Sequence, residues 1–183
     1  MKKVILLAVA LVATFTVSGQ VTINNVKVEQ SVTVQGQELS LNGAGLREKL
    51  WYDLYVGALY TTVKSDDGNK MVDADLPMVI TLDITDENVT QEKMKTAVEE
   101  GFGDSVSNKE RKAIQSEINT FIGFFKDAIV KGDHFEIAYV KGTGTVVTKN
   151  GKNLGTIKGL NFKKGLFGIW LGNDPADEDL KEG

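Results

Sequence analysis

Apolar residues recur at roughly every second position in the first third of the chain beyond residue 20: Val21, Ile23, Val26, Val28, Val32, Val34, Leu39 and Leu41. Successive side chains of a strand leave opposite faces, so this alternation predicts half-buried strands. We read two short strands over 21–41 with a turn at Gly36. A glycine-rich turn (Gly43, Ala44, Gly45) then leads to a long strand over 48–63. In that strand Leu50, Tyr52, Leu54, Val56, Ala58 and Tyr60 share one face, and Trp51, Tyr55 and Leu59 the other. A strand apolar on both faces is buried on both, which predicts a central position in a sheet. The stretch SDDGN (65–69) reads as a turn-forming loop, and β-branched residues predict a further strand over Met78–Ile84.

The period then lengthens to that of a helix. Thr90 is an acceptable N-cap, Met94, Ala97 and Val98 follow on one face, and Gly101 and Gly103 are expected to end the helix. Ser107 and Glu110 form a capping box for a second helix. Its stripe is Ile114, Ile118, Phe121, Ile122, Phe125 and Ile129, and Gly132 is a natural stop. Three strands follow, over 135–140, 144–149 and 154–158, the last two joined by Asn150-Gly151, whose residues tolerate positive φ. A helix near Asn161–Leu171, Asp174-Pro175 and a short acidic tail helix complete the chain. The pattern predicts one α+β domain over 21–183, an open-faced antiparallel β-sheet with helices packed on one face.

Residues 1–20 read differently. Lys2 and Lys3 precede an apolar stretch, Val4–Val17, and small and polar Ser18, Gly19 and Gln20. That order is the signature of a secretory signal peptide, so a periplasmic or secreted protein is expected. The formal charge is −4, with 21 basic and 25 acidic residues and no basic stripe, so nucleic acid is not an expected partner. Cysteine is absent and His134 is the one histidine, which excludes disulfides, thiolate metal sites and a histidine metal cluster. No metal or cofactor is expected. His134 falls at a strand start and reads as exposed. The acidic run 174–182 lacks the glycine-punctuated spacing of a calcium loop.

One residue stands out chemically. Arg47 sits at the mouth of the long apolar strand. Its guanidinium stays charged, so it must reach water, meet a carboxylate such as neighbouring Glu48, or receive an anionic ligand. Asp53, on the face opposite Leu54, implies that this face is partly open to solvent.

The blocks LNGAGLR (41–47) and NGKNLGTIKGLNFKKGLFGIWLGNDPADEDLK (150–181), in that order, resemble the chalcone isomerase superfamily, and most closely its bacterial chalcone isomerase-like members. The resemblance runs from about Val28 to the C-terminus and implies the same open-faced α+β fold. In the plant enzymes an arginine after this glycine turn binds the developing phenolate. A threonine and a tyrosine orient water near the ketone, and an asparagine and a second hydroxyl residue hold the far end. The arginine corresponds to Arg47, the threonine to Leu54, the tyrosine to about Thr90 and the asparagine to about Ala97. The second hydroxyl residue, expected near Lys158–Leu160, has no counterpart. Losing one oxyanion donor typically costs roughly 3–4 kcal/mol of transition-state stabilisation, so true chalcone isomerase activity is not expected.

The superfamily also contains plant fatty-acid-binding proteins, and the resemblance implies a non-catalytic binder of a small amphipathic acid. Arg47 would take the carboxylate, with Tyr52, Leu54, Val56, Thr90, Phe121 and Phe125 around the ligand. Two alternatives stay open. One is an isomerase or intramolecular lyase using Arg47 as electrophile, with Thr90, Tyr52 or Tyr55 as proton carrier. The other is an interaction module with an exposed apolar patch at Trp51, Trp170 or the tail.

Overall fold

The computed structural model describes residues 21–183; the signal-peptide reading of 1–20 lies outside the described residues. Seven strands form one antiparallel sheet in sequence order: β3 (Ser31–Val34), β4 (Gln37–Lys49), β5 (Tyr52–Thr61), β6 (Met78–Ile84), β7 (His134–Val140), β8 (Gly144–Lys149) and β9 (Lys152–Ile157). The first two strands, β1 (Val21–Ile23) and β2 (Val26–Val28), pair only with each other. Local turn chemistry explains the up-and-down order. Asn24-Asn25, Gln35-Gly36 and Asn150-Gly151 all take positive φ, as two-residue hairpin turns require.

The helices lie on one side of the curled sheet. They are α1 (Gly68–Asp73), α2 (Gln91–Ser105), α3 (Asn108–Ala113), α4 (Gln115–Ile122), α5 (Leu160–Leu171) and α6 (Glu178–Glu182). Ser107 and Glu110 cap α3 reciprocally, and Thr90 Oγ1 accepts from the Lys93 amide at the start of α2. The main core lies between sheet and helices. Phe102, Phe121, Phe162 and Phe167 are fully buried there, with Phe125 and Phe135 beside them. A smaller apolar layer covers the other face, where Val56, Ala58, Tyr60 and Val79 meet Val28 and Leu39.

Several expectations are corrected. Residues 43–45 are not a turn; they are the interior of β4, which continues to Lys49. The turn falls instead at Leu50-Trp51, inside the segment read as a long strand, and both residues are exposed. Helix α2 passes through Gly101 and Gly103 to Ser105. Gly101 marks a close approach, since a Cβ there would stand 2.7 Å from Ile169 Cγ2 of α5. The single helix expected over 107–129 is two, broken at Ile114 and ended at Gly123, so Phe125 and Ile129 reach the core from irregular chain. The 65–69 loop runs directly into α1, capped by Asp67.

Two bulges set the faces of the site. In the β4–β5 ladder Leu41 pairs with Tyr60 and Gly43 with Leu59, leaving Asn42 over. Arg47 pairs with Tyr55 and Glu48 with Asp53, leaving Leu54 over. Each extra residue shifts the alternation by one. The shift at Leu54 puts Val56, Ala58 and Tyr60 in the layer away from the helices while Leu54 and Tyr55 pack on the helix side. A single unbroken alternation, as read from the sequence, could not do this.

Candidate functional site

The glycines of β4 are small because something lies on them. A Cβ on Gly45 would stand 3.1 Å from Leu180 Cδ1, and one on Gly43 would stand 2.9 Å from the Gly183 carbonyl oxygen. Helix α6 packs here, and the Ala44 amide donates to the Gly183 carbonyl at 3.2 Å. The blocks 41–47 and 150–181, a hundred residues apart in the chain, therefore meet at one corner of the sheet.

Arg47 lies at that corner, half-buried on the helix-side face beside its cross-strand partner Tyr55. Its guanidinium carbon is 5.6 Å from the Tyr55 ring centroid. Nη1 donates to the Tyr55 hydroxyl at 3.3 Å and Nη2 to the Ala176 carbonyl at 3.4 Å. Both are long, and both acceptors are neutral. Nε is buried with no acceptor, and among the described residues no carboxylate lies within salt-bridge distance of Arg47. The pairing with Glu48 weighed from the sequence does not form; Glu48 is exposed. Tyr55 is 3% exposed, and its hydroxyl also accepts from Trp170 Nε1 at 2.9 Å.

Arg47 and Tyr55 line a cleft of about 480 Å³ between the β4–β5 end and helix α2. Leu50, Tyr52, Leu54, Val89, Met94 and Ala97 give it an apolar wall, while Lys49, Glu92, Lys93 and Glu100 bring charge. Its size falls in the usual range for small-molecule sites, about 300–1,000 Å³. A smaller cavity of about 210 Å³ near α1 does not include Arg47.

Of the residues singled out from the sequence, the structure brings Arg47, Tyr52 and Leu54 together at the cleft. Thr90 spends its hydroxyl on the α2 cap and is not among the lining residues. Val56 faces the opposite layer because of the Leu54 bulge. Phe121 and Phe125 stack edge-on at 5.3 Å between ring centroids within the main core, away from the cleft lining. Leu54 and Ala97, aligned above with the threonine and asparagine of the plant enzymes, both line the cleft and put hydrocarbon there. The contacts of Trp170 and Ala176 escaped sequence reasoning, though both residues sit in the second motif block.

A sequence model of the family described as chalcone isomerase-like matches residues 20–183. Comparison with curated proteins gives no match. Among solved structures, the crystal structure of a fatty-acid binding protein from Arabidopsis thaliana is similar, with a TM-score of 0.70 at 19% identity. The alignment covers 89% of this chain and 94% of that one, a likeness of fold.

Proposed function

Since this chain belongs to the chalcone isomerase-like family, we propose that it is a non-catalytic binder of a small amphipathic acid, of the fatty-acid kind, held in the Arg47 cleft. The observation that carries the reading is the state of Arg47: a half-buried cation with a buried Nε–H lacking an acceptor, on a cleft walled mainly by hydrocarbon. A carboxylate would supply the missing charge-assisted hydrogen bond, and such bonds are roughly twice as strong as neutral ones. Each methylene buried along Tyr52, Leu54, Val89, Met94 and Ala97 would add about 0.8 kcal/mol. The similar fold of the Arabidopsis fatty-acid binding protein supports the ligand class by analogy. In this reading the carrier works outside the cytoplasm, and the leader-like order of residues 1–20 supports that.

One observation favours an isomerase or lyase instead. Tyr55 presents a hydroxyl to Arg47 and receives the Trp170 N–H, an arrangement that stabilises negative charge on oxygen. The hydrocarbon at Leu54 and Ala97 weighs against it, because neither can orient water or hold a polar substrate.

The test is extraction of the purified protein with organic solvent and mass spectrometry, beside Arg47→Ala. A stoichiometric carboxylic acid in the wild type that is lost from the variant supports the carrier. Empty extracts from both, with Arg47→Ala less stable, would leave Arg47 as a strut for the 173–177 segment.

A further inference from the structure

The hairpin at the cleft mouth breaks the rule that the other hairpins keep. Asn24-Asn25, Gln35-Gly36 and Asn150-Gly151 turn with small or polar residues. The β4–β5 hairpin turns with Leu50-Trp51, which are 78% and 80% exposed. Leu50 also takes φ 60°, a region where a leucine is strained and a glycine is not. Among the described residues, the two most exposed large apolar side chains thus stand at the end of a turn that would form more readily without them.

We propose that this tip docks the protein on a lipid bilayer surface, with the cleft opening toward the membrane. Among the described residues of the β4–β5 hairpin, the exposed large hydrophobics are Leu50, Trp51 and Tyr52, a point of apolar surface rather than the broad face of about 1,000 Å² that a stable protein interface needs. It is bracketed by the exposed charged residues Glu48 and Lys49, and Asp53 follows Tyr52. A leucine to enter the acyl boundary and a tryptophan to sit at headgroup level form the pair that an interfacial anchor uses. Leu50 is also a wall of the cleft, so the anchor and the opening are continuous. An amphipathic acid passing from cleft to bilayer along Leu50 and Tyr52 would keep its chain out of water, where each exposed methylene costs about 0.8 kcal/mol. Loading of the cleft rests on the binder reading above; docking does not.

The experiment is co-sedimentation of the protein with phosphatidylcholine vesicles, paired with tryptophan emission, for the wild type, Trp51→Ser and Leu50→Gly/Trp51→Ser. Gly-Ser suits a two-residue hairpin turn, so the double variant retains the fold, and circular dichroism checks it. The expected result is vesicle binding with blue-shifted emission in the wild type, weakened roughly ten-fold by Trp51→Ser and abolished in the double variant. No sedimentation of the wild type at millimolar lipid would overturn the proposal. So would binding that Trp51→Ser leaves unchanged, or a dimer in lipid-free buffer that Trp51→Ser dissolves. Vesicle binding together with an empty organic extract would keep the docking and defeat the carrier, whereas a bound acid without vesicle binding would do the reverse.

Discussion

Lys163 shows how strictly this interior accounts for charge. It is 0% exposed on α5, and its Nζ donates to the carbonyls of Met71, Val72 and Ala74 at 2.8–2.9 Å, at the C-terminal end of α1. All three ammonium protons are used, and burial pushes the group down to about 8. Lys163→Met would leave the three carbonyls facing hydrocarbon, and urea unfolding should show a loss of about 2–3 kcal/mol. Arg47 is the contrast: a cation on the cleft that is only partly satisfied, with a buried Nε that has no acceptor. His134 supplies the pH dependence. Its Nδ1 lies 2.7 Å from Asp83 Oδ1, and that hydrogen bond raises its pKa above 6.5 although burial opposes the shift. A raised pKa means that the folded state binds the proton more tightly. The pair's contribution is therefore complete below 6.5 and is lost as pH rises through the raised value. Melting temperatures of wild type and His134→Gln should differ most in mild acid and converge above neutrality; a gap that widens with pH would refute this assignment. The sequence placed His134 at a strand start but could not show Asp83 opposite it, because that pairing depends on β6–β7 register.

At the scale of elements, α6 is a short strap with a specific seat. Leu180 lies against Gly45 and Gly57, and the segment leading to it brings the Ala176 carbonyl to Arg47. Leu180→Ala should cost about 1–2 kcal/mol and raise hydrogen exchange at the Ala44 amide, which donates to Gly183. Unchanged protection there would mean that the strap is held by other contacts. Elements with a strong local signal were legible: the Asn150-Gly151 turn, the Ser107–Glu110 capping box, the Thr90 cap and the β7–β9 meander. Features decided by distant neighbours were not. Glycines at 43, 45 and 101 read as breaks, yet each is small to admit another element: Gly183, Leu180 and Ile169. The bulge at Leu54 was invisible because it changes register without changing composition, and it separates Val56 from the cleft residues beside it in sequence. Phe121 and Phe125 have the spacing of one helical stripe, but the helix ends at Gly123, and both rings pack in the core rather than at the cleft.

Across the whole molecule, the sequential antiparallel order keeps every strand of the seven-stranded sheet beside its neighbour in the chain, and the helices on one side leave one corner where β4, β5, α2 and the tail converge. That corner brings the first motif block, the end of the second and the incompletely satisfied arginine together, whereas Val56, Thr90, Phe121 and Phe125, expected around a ligand, lie away from the cleft lining. The central claim is that Arg47 holds an acid and the cleft holds its tail. It is tested most directly by titrating the delipidated protein with laurate and with lauryl alcohol, in the wild type and in Arg47→Ala. The two ligands share a chain and differ in the charge of the head. Wild-type protein should prefer laurate by about ten-fold or more, the worth of one charge-assisted pair, and Arg47→Ala should bind both alike. Equal binding of acid and alcohol by the wild type, or a preference that survives Arg47→Ala, would contradict the account.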